Sequence, residues 1–301
     1  NIGAAFKLSG KTSKGLSLGI IESVELKATA DIHENNVDSR MDVEPLTNYL
    51  IGRFQQDFDR GNTIIGGILT HTHRSVKSDN LEFLSRNALT YGLEFTRYWN
   101  DRKYFFEAKA IGSNINGDEE AITRLQSSST RYYQRPDISG IVYDTTLTAL
   151  NGWGGSVKAG KWSKGHWRYN EEVIMRSPGL ELNDLGYMTL SNLLKNNTRI
   201  SYVEKENTRI FKSYTFSLLQ HNAWNANGKG LYSMVSLSAE SEFMNNWGLS
   251  ASSQYKFRTI DERLLRGGPS MKVPDMLTWS WMLNSDYARN LFLRFYGNYS
   301  K

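Results

Sequence analysis

Glu240 and Glu242 stand two residues apart in a segment where apolar and polar residues alternate. In an extended chain alternate residues share a face, and the strand rise puts these two Cα atoms roughly 6.5–7 Å apart. Two neighbouring carboxylates are the machinery of glycoside hydrolysis, so this pair is the first candidate for chemistry. The same carboxylates also suit the polar lining of a sheet, facing Lys256 or Arg258 on the next alternating segment. Glu94, Glu107, Lys109, Lys158, Arg168, Glu172 and Arg294 occupy comparable positions in other segments. Together they describe a wall of mixed sign, which fits ion-paired filling or a weakly selective pore. No catalytic residue is assigned on this pattern.

His71 and His73 share a face of one extended segment, as metal ligands do, but no third ligand is identifiable. Structural zinc almost always takes four protein ligands, so no metal is expected. Gly267-Gly268-Pro269 and the group Gly152, Gly154 and Gly155 could cradle a phosphate, except that no helix follows either. The phosphate site depends on a helix N-terminus, so these glycines read as turns and close strand packing, and no cofactor is expected. Residues 118–128 have the composition of a short helix within a loop, placed to plug or cap a pore.

The elements that hold these residues are strands. Leu89, Tyr91, Leu93 and Phe95 alternate with Thr90, Gly92, Glu94 and Thr96, a period of two with opposite chemistry on the two faces. The pattern recurs at Leu231, Val235, Leu237, Ala239 and Phe243, then at Trp247, Leu249, Ala251, Tyr255 and Phe257, forming a hairpin. It returns at Leu277, Trp279, Trp281 and Leu283, and at Leu291, Leu293 and Phe295. Residues 47–58 and 62–73 alternate less cleanly, because Ile64, Ile65, Ile68 and Leu69 put apolar groups on both sides, and they are still read as strands. In all, about 14 strands are expected, many of the roughly 9–11 residues that a tilted membrane-crossing strand needs.

Composition is compatible with that reading. Of the 301 residues 39% are hydrophobic, and no apolar run reaches the length of a spanning helix. The mean hydropathy of −0.51 is no obstacle, since a barrel faces lipid with every second residue only. The 36 basic and 31 acidic residues are scattered, giving a net charge of +5 without a basic stripe; a nucleic-acid partner is not expected. The absence of cysteine excludes disulfides and thiolate metal sites. The first residues carry no basic and apolar leader, which reads as a processed or partial chain.

Connections alternate between short turns, at 11–14, 59–62, 100–103, 163–165, 204–207, 245–246 and 287–290, and long loops. The long ones span about 26–45, 75–87, 114–140, 177–185 and 260–274, with a shorter link at 223–229. Short turns at one end and long loops at the other are the asymmetry of outer-membrane barrels. Pro45, Pro136, Pro178, Pro269 and Pro274 all fall in long loops, as they must if the ladders are continuous. Trp99 and Tyr104, Trp162 and Trp167, and Phe243 and Trp247 flank short turns, the arrangement of an aromatic girdle. With short turns on the periplasmic side, both ends of the chain come out on the opposite side, and the last residues lack a closing aromatic. The expectation is therefore an arc of a larger barrel, residues 1–301 forming one barrel region, with a soluble sandwich or propeller as the architectural alternative.

Three loop stretches carry a resemblance. They are Arg131-Tyr132-Tyr133-Gln134-Arg135-Pro136-Asp137; the segment from Arg176 through Ser177, Pro178, Gly179, Asn183 and Asp184 to Gly186; and Arg266-Gly267-Gly268-Pro269. With the opening Gly3-Ala4-Ala5-Phe6-Lys7-Leu8, they resemble a group of Bacteroidota envelope proteins of uncharacterised function. Those proteins join a carbohydrate-binding family 9-like domain to a large C-terminal β-barrel-like region, and residues 1–301 are expected to correspond to the latter and not to the binding domain. The resemblance implies a bacterial outer-membrane location, with lipid and other envelope proteins or glycans as partners, and supplies no catalytic residues. Two functions are expected: a channel, transporter shell or scaffold subunit, or alternatively an envelope protein that binds or processes carbohydrate.

Overall fold

Period-two alternation becomes strand along almost the whole chain. The computed structural model describes residues 1–34 and 36–301; Asn35, within the expected loop 26–45, lies outside the described residues. The strands are β1 (Ile2–Lys11), β2 (Leu16–Glu25), β3 (Ala28–Glu34), β4 (Val37–Glu44), β5 (Leu46–Phe58) and β6 (Thr63–Ser75). They continue as β7 (Asn87–Trp99), β8 (Tyr104–Asn116), β9 (Ala149–Lys161), β10 (Trp167–Arg176), β11 (Leu193–Glu204) and β12 (Phe211–Trp224). The remainder are β13 (Gly230–Phe243), β14 (Gly248–Phe257), β15 (Ile260–Asp261), β16 (Met271–Lys272), β17 (Met276–Asn284) and β18 (Arg294–Ser300). Among the described residues one α-helix, α1 (Glu119–Gln126), sits in the loop after β8, where the sequence predicted it.

Fourteen strands form a single antiparallel sheet in the order β1-β2-β5-β6-β7-β8-β9-β10-β11-β12-β13-β14-β17-β18. Every neighbour in the sheet is the next sheet strand in sequence, the simplest up-and-down path. The pairs β3–β4 and β15–β16 are separate small hairpins inside the expected loops 26–45 and 260–274. Among the described residues β1 and β18 each have one neighbour, and no pairing joins them. The expected strand count holds.

The ends of several elements differ from expectation. β18 begins at Arg294, so Leu291 and Leu293 lie outside the last ladder. Stacking of Tyr287 on Phe292, with centroids 4.4 Å apart, and a bond from Ser285 N to the Leu293 carbonyl at 2.9 Å close a wide turn over 285–293 instead. The loop expected at 114–140 runs over 117–148, and the one at 177–185 continues to 192. Both extra stretches pack onto other loops, a choice that periodicity does not register.

The two faces of the sheet have opposite fates. The long loops fold against one of them, the covered face; the other is bare. On β7 the covered face carries Ala88, Thr90, Gly92, Glu94 and Thr96, and the bare face Leu89, Tyr91, Leu93 and Phe95. Leu93 is 63% exposed, Phe216 56%, Leu237 58% and Trp279 58%, all on the bare side. Large apolar side chains that would fill the core of a soluble sheet are thus on the outside. The buried cores lie where loops meet strand ends: Ala88, Ile115 and Leu150 pack with Ile122 and Tyr133 from the loop carrying α1, and Leu193, Ala223 and Leu231 form a second cluster.

Candidate functional site, a loop cap over a polar wall

Three long loops, 117–148, 177–192 and 258–275, interlock at one end of the sheet. α1 begins beside Arg86, whose guanidinium grips Asp118 with Nε at 3.0 Å and Nη2 at 2.8 Å. This fixes the helix so that Ala121 and Ile122 are buried against the strand ends. The chain then turns through Arg131 and Arg135, two arginines with almost no exposure. Arg131 Nη1 donates to Glu181 Oε2 at 2.6 Å, with the side chains 0% and 3% exposed. Its Nη2 donates to the Leu180 carbonyl. Arg135 pairs with Glu262 at 3.2 Å, and Arg74 at the end of β6 pairs with Asp184 at 2.7 Å. Each ion pair joins two different segments, so the three loops form one body anchored on β6.

Smaller residues make that packing possible. A Cβ on Gly152 would lie 2.0 Å from Leu180 N, and one on Gly179 2.1 Å from the Asn151 carbonyl oxygen. Ser177 extends β10 along β9: its amide donates to the Trp153 carbonyl at 2.8 Å, and its hydroxyl accepts from Trp153 N at 2.8 Å. Pro178 follows at the bend. Asn183 Oδ1 accepts from Met188 N at 2.6 Å and holds the far side of the loop. Gly267, at φ 105°, packs on Gln134, next to the Arg135-Pro136-Asp137 turn, and Gly268 N closes on the Leu265 carbonyl at 3.1 Å. Pro269 continues that turn to Ser270. The three resemblance stretches, remote in sequence, therefore meet in one cap.

Burial and polar contacts tune two groups there. Burial pushes the Tyr133 hydroxyl up to about 12, against the opposing pull of Arg131. Burial also acts to raise Asp137, but hydrogen bonds from Ser270 and Lys229 outweigh it and hold the carboxyl down at about 2. Lys229 Nζ lies 3.1 Å from Asp137, tying the β12–β13 connection to the cap.

Below the cap, the covered face is a polar wall. Glu94 faces Lys109 across β7 and β8, and Arg53 Nη2 lies 2.9 Å from Glu94 Oε1. Glu107 faces Lys158, which faces Glu172, and Glu172 accepts from Asn197 Nδ2 at 3.0 Å. Beyond β10 a band of hydroxyls crosses this face: Ser201, Ser217, Ser238, Ser252 and Ser280 form one continuous rung. Ser201 and Ser217 are 2.8 Å apart and Ser252 and Ser280 2.7 Å apart. Arg294 is on this face near the short turns, donating to Asn284 Oδ1 at 2.9 Å.

Several candidates take different roles from those expected. Glu240 faces Ser250 and Glu242 faces Gly248, while Lys256 faces Met234. The turn at 244–247 sets this register, leaving Glu240 and Lys256 about 20 Å apart along the strand. The partner of Glu242 is Lys212, at 3.2 Å. Arg258 lies past the end of β14 at φ 53°, beside the Phe257 ring, and is not part of the wall. Arg168 is on the covered face, but its Nη1 donates to the Lys164 and Gly165 carbonyls at 3.1 and 2.6 Å, capping a turn. His71 and His73 do share a face, the bare one, with ring centroids 6.4 Å apart. No group of three metal-ligating side chains occurs among the described residues. Arg53 and Glu262 carried no signal in the sequence, and Arg131 and Glu181 only that of standing within the resembling loop stretches.

The bare face carries a ring of aromatics beside the short turns. Trp99 stacks on Tyr104 at 5.9 Å, Trp167 meets Tyr202 at 5.2 Å, Tyr202 meets Tyr214 at 6.2 Å, and Phe243 lies 5.0 Å from Phe211. Carboxylates interrupt the bare face, among them Glu22, which accepts from Asn48 Nδ2 at 3.1 Å, and Glu171, which Asn196 and Thr198 satisfy from the next strand.

Among curated proteins nothing matches the chain. The model of a family described as a domain of unknown function, DUF5916, matches residues 1–301, and the chain therefore belongs to the DUF5916 family.

Proposed function

We propose that this chain is the wall of an outer-membrane β-barrel in the bacterial envelope, a channel or transporter shell whose loops close one mouth. The observation that carries the reading is the inverted burial: the apolar face of the sheet is bare and the polar face is covered. Leaving a Leu or Phe in water rather than burying it forfeits about 1.5–3 kcal/mol per side chain, and lipid recovers that energy for Leu93, Phe216 and Leu237. The aromatic ring around Trp99, Trp167 and Tyr214 suits a headgroup boundary. A lumen lined by Glu94, Lys109, Lys158 and Glu172 is polar and of mixed sign, so weak ion selectivity is expected. The resemblance to Bacteroidota envelope proteins agrees with this location.

Reconstitution tests it in two steps. Bromine-labelled acyl chains should quench tryptophan fluorescence, and conversion of Trp279 and Trp281 to Phe should remove much of that quenching. A chain that is monodisperse in buffer without detergent, with unquenched tryptophans, overturns the membrane reading. Conductance in planar bilayers then separates a channel from a scaffold, which never conducts even with its cap opened. The carbohydrate-processing alternative rests on Glu240 and Glu242, which both line an open cavity near the short turns. Replacing both by Gln should abolish glycan turnover under that alternative, and unchanged turnover excludes these residues.

A further inference from the structure

The roof formed by loop 177–192 does not seal against the wall. A cavity of about 370 Å³ remains between them, within the roughly 300–1,000 Å³ usual for small-molecule sites. Glycine makes the room: Gly92 and Gly154 stand on the covered face where neighbouring strands carry Ile68, Ile111 and Arg176. Ile111 and Ile174 rise from the wall and Leu180 and Leu182 hang from the roof, giving the cavity an aliphatic side. The opposite side is charged, with Arg53, Lys109 and Arg176 against a single carboxylate, Glu94.

Those charges are not equally engaged. Arg53 holds Glu94 at 2.9 Å, and Arg176 Nη1 donates to the Leu190 carbonyl at 2.9 Å. Lys109 faces Glu94 in the register yet, among the described residues, makes no ion pair. Its ammonium thus stands at the exposed edge of the apolar pocket, free to meet an incoming anion. With Arg53, Lys109 and Arg176 against Glu94 alone, the charged side is net positive and favours an anionic ligand, while the aliphatic side favours a hydrocarbon tail. A cationic or purely hydrophilic ligand satisfies only one of the two sides.

We infer that this cavity is a binding site for an amphipathic anion, a carboxylate or phosphate headgroup on a short alkyl chain, with Lys109 taking the headgroup and Ile111, Ile174, Leu180 and Leu182 the chain. The site lies between the sheet and its own loop, so it does not depend on the bare face meeting lipid. Isothermal titration of the full chain, held in zwitterionic nanodiscs with empty discs as the blank, tests it with three probes: decanoate, decyltrimethylammonium and acetate. Decanoate should bind saturably at one site, and the other two should not. Lys109→Met, a neutral replacement of similar length at an exposed position, should weaken decanoate about tenfold, and Lys109→Arg should restore it. Ile174→Asn should weaken decanoate through the apolar side. Equal binding of decyltrimethylammonium, equal binding of acetate, or undiminished decanoate affinity in Lys109→Met each overturns the inference. Should the chain prove soluble, the same titration runs in buffer, so failure of the membrane reading and failure of this site are separately visible.

Discussion

Replacing Arg131 by Met removes the cation from an ion pair whose two side chains are 0% and 3% exposed and 2.6 Å apart. Glu181 is then left in the cap with one remaining bond from this set, Asn183 N to Oε1 at 2.7 Å. The Leu180 carbonyl and the Thr130 hydroxyl also lose their donor. Breaking a buried pair from one side costs roughly 3–5 kcal/mol, because the surviving charge is uncompensated. That cost falls on the docking of loop 177–192 and not on the strand ladders, whose hydrogen bonds are untouched. At 1.36 kcal/mol per decade, local opening should become more frequent by about two to four orders of magnitude. Hydrogen exchange by mass spectrometry reads this directly: amides over 177–192 and 117–148 should speed up, while those of β12 and β13 keep their protection. Neutralising both partners, Arg131→Met with Glu181→Gln, should recover part of the loss, with a coupling of about 1–3 kcal/mol. Exchange in 177–192 within about threefold of the unmodified protein, or strict additivity in the double variant, would refute the claim that this pair holds the cap.

Three further outcomes are expected. Leu237→Arg on the bare face should cost about 2–4 kcal/mol of folding into vesicles, whereas Ser238→Arg on the polar face should be nearly neutral, as denaturant titration in liposomes can measure. For acid, Asp137 has its carboxyl at about 2 in the folded chain against an ordinary 3.8. A lowered folded-state value stabilises above the unfolded value and is lost as pH falls from about 4 to 2; proteolysis of loop 258–275 should rise across that window, and Asp137→Asn should flatten the profile. Finally, Gly152→Ala puts a Cβ 2.0 Å from Leu180 N and should displace the roof and raise conductance, while Gly19→Ala, with nothing within 4 Å, should leave conductance unchanged.

The strands were legible because period-two alternation is a local signal: Leu89 to Phe95 show their two faces without reference to any partner. Proline placement and the turn residues were legible for the same reason, since a missing donor or a bend acts on its own segment. α1 was readable within about two residues of its ends from composition alone. The last strand was misplaced because Leu291 and Leu293 continue the alternation that Phe295 belongs to, yet the Tyr287–Phe292 stack draws them into a turn. Nothing in a one-dimensional pattern distinguishes an apolar residue in a ladder from one in a packed turn.

Which charges meet was a different kind of question. Glu240 and Glu242 were correctly put on a polar face, but their partner depended on register, and the 244–247 turn moved Lys256 out of reach. Arg131, Arg135, Asp184, Glu181 and Glu262 lie in three loops up to about 130 residues apart, and only folding the sheet brings those loops over one end. The sequence by itself determined the alternation, hence a two-faced antiparallel sheet with its polar and apolar sides and its short and long connections, because side-chain direction along a strand is a local property. The tertiary structure decided that the polar side is the covered one, that the loops lock into a cap through buried ion pairs, and that a pocket with Lys109 at its rim lies beneath them. Those outcomes depend on distances between segments far apart in sequence, which only the register and the packing of the loops define.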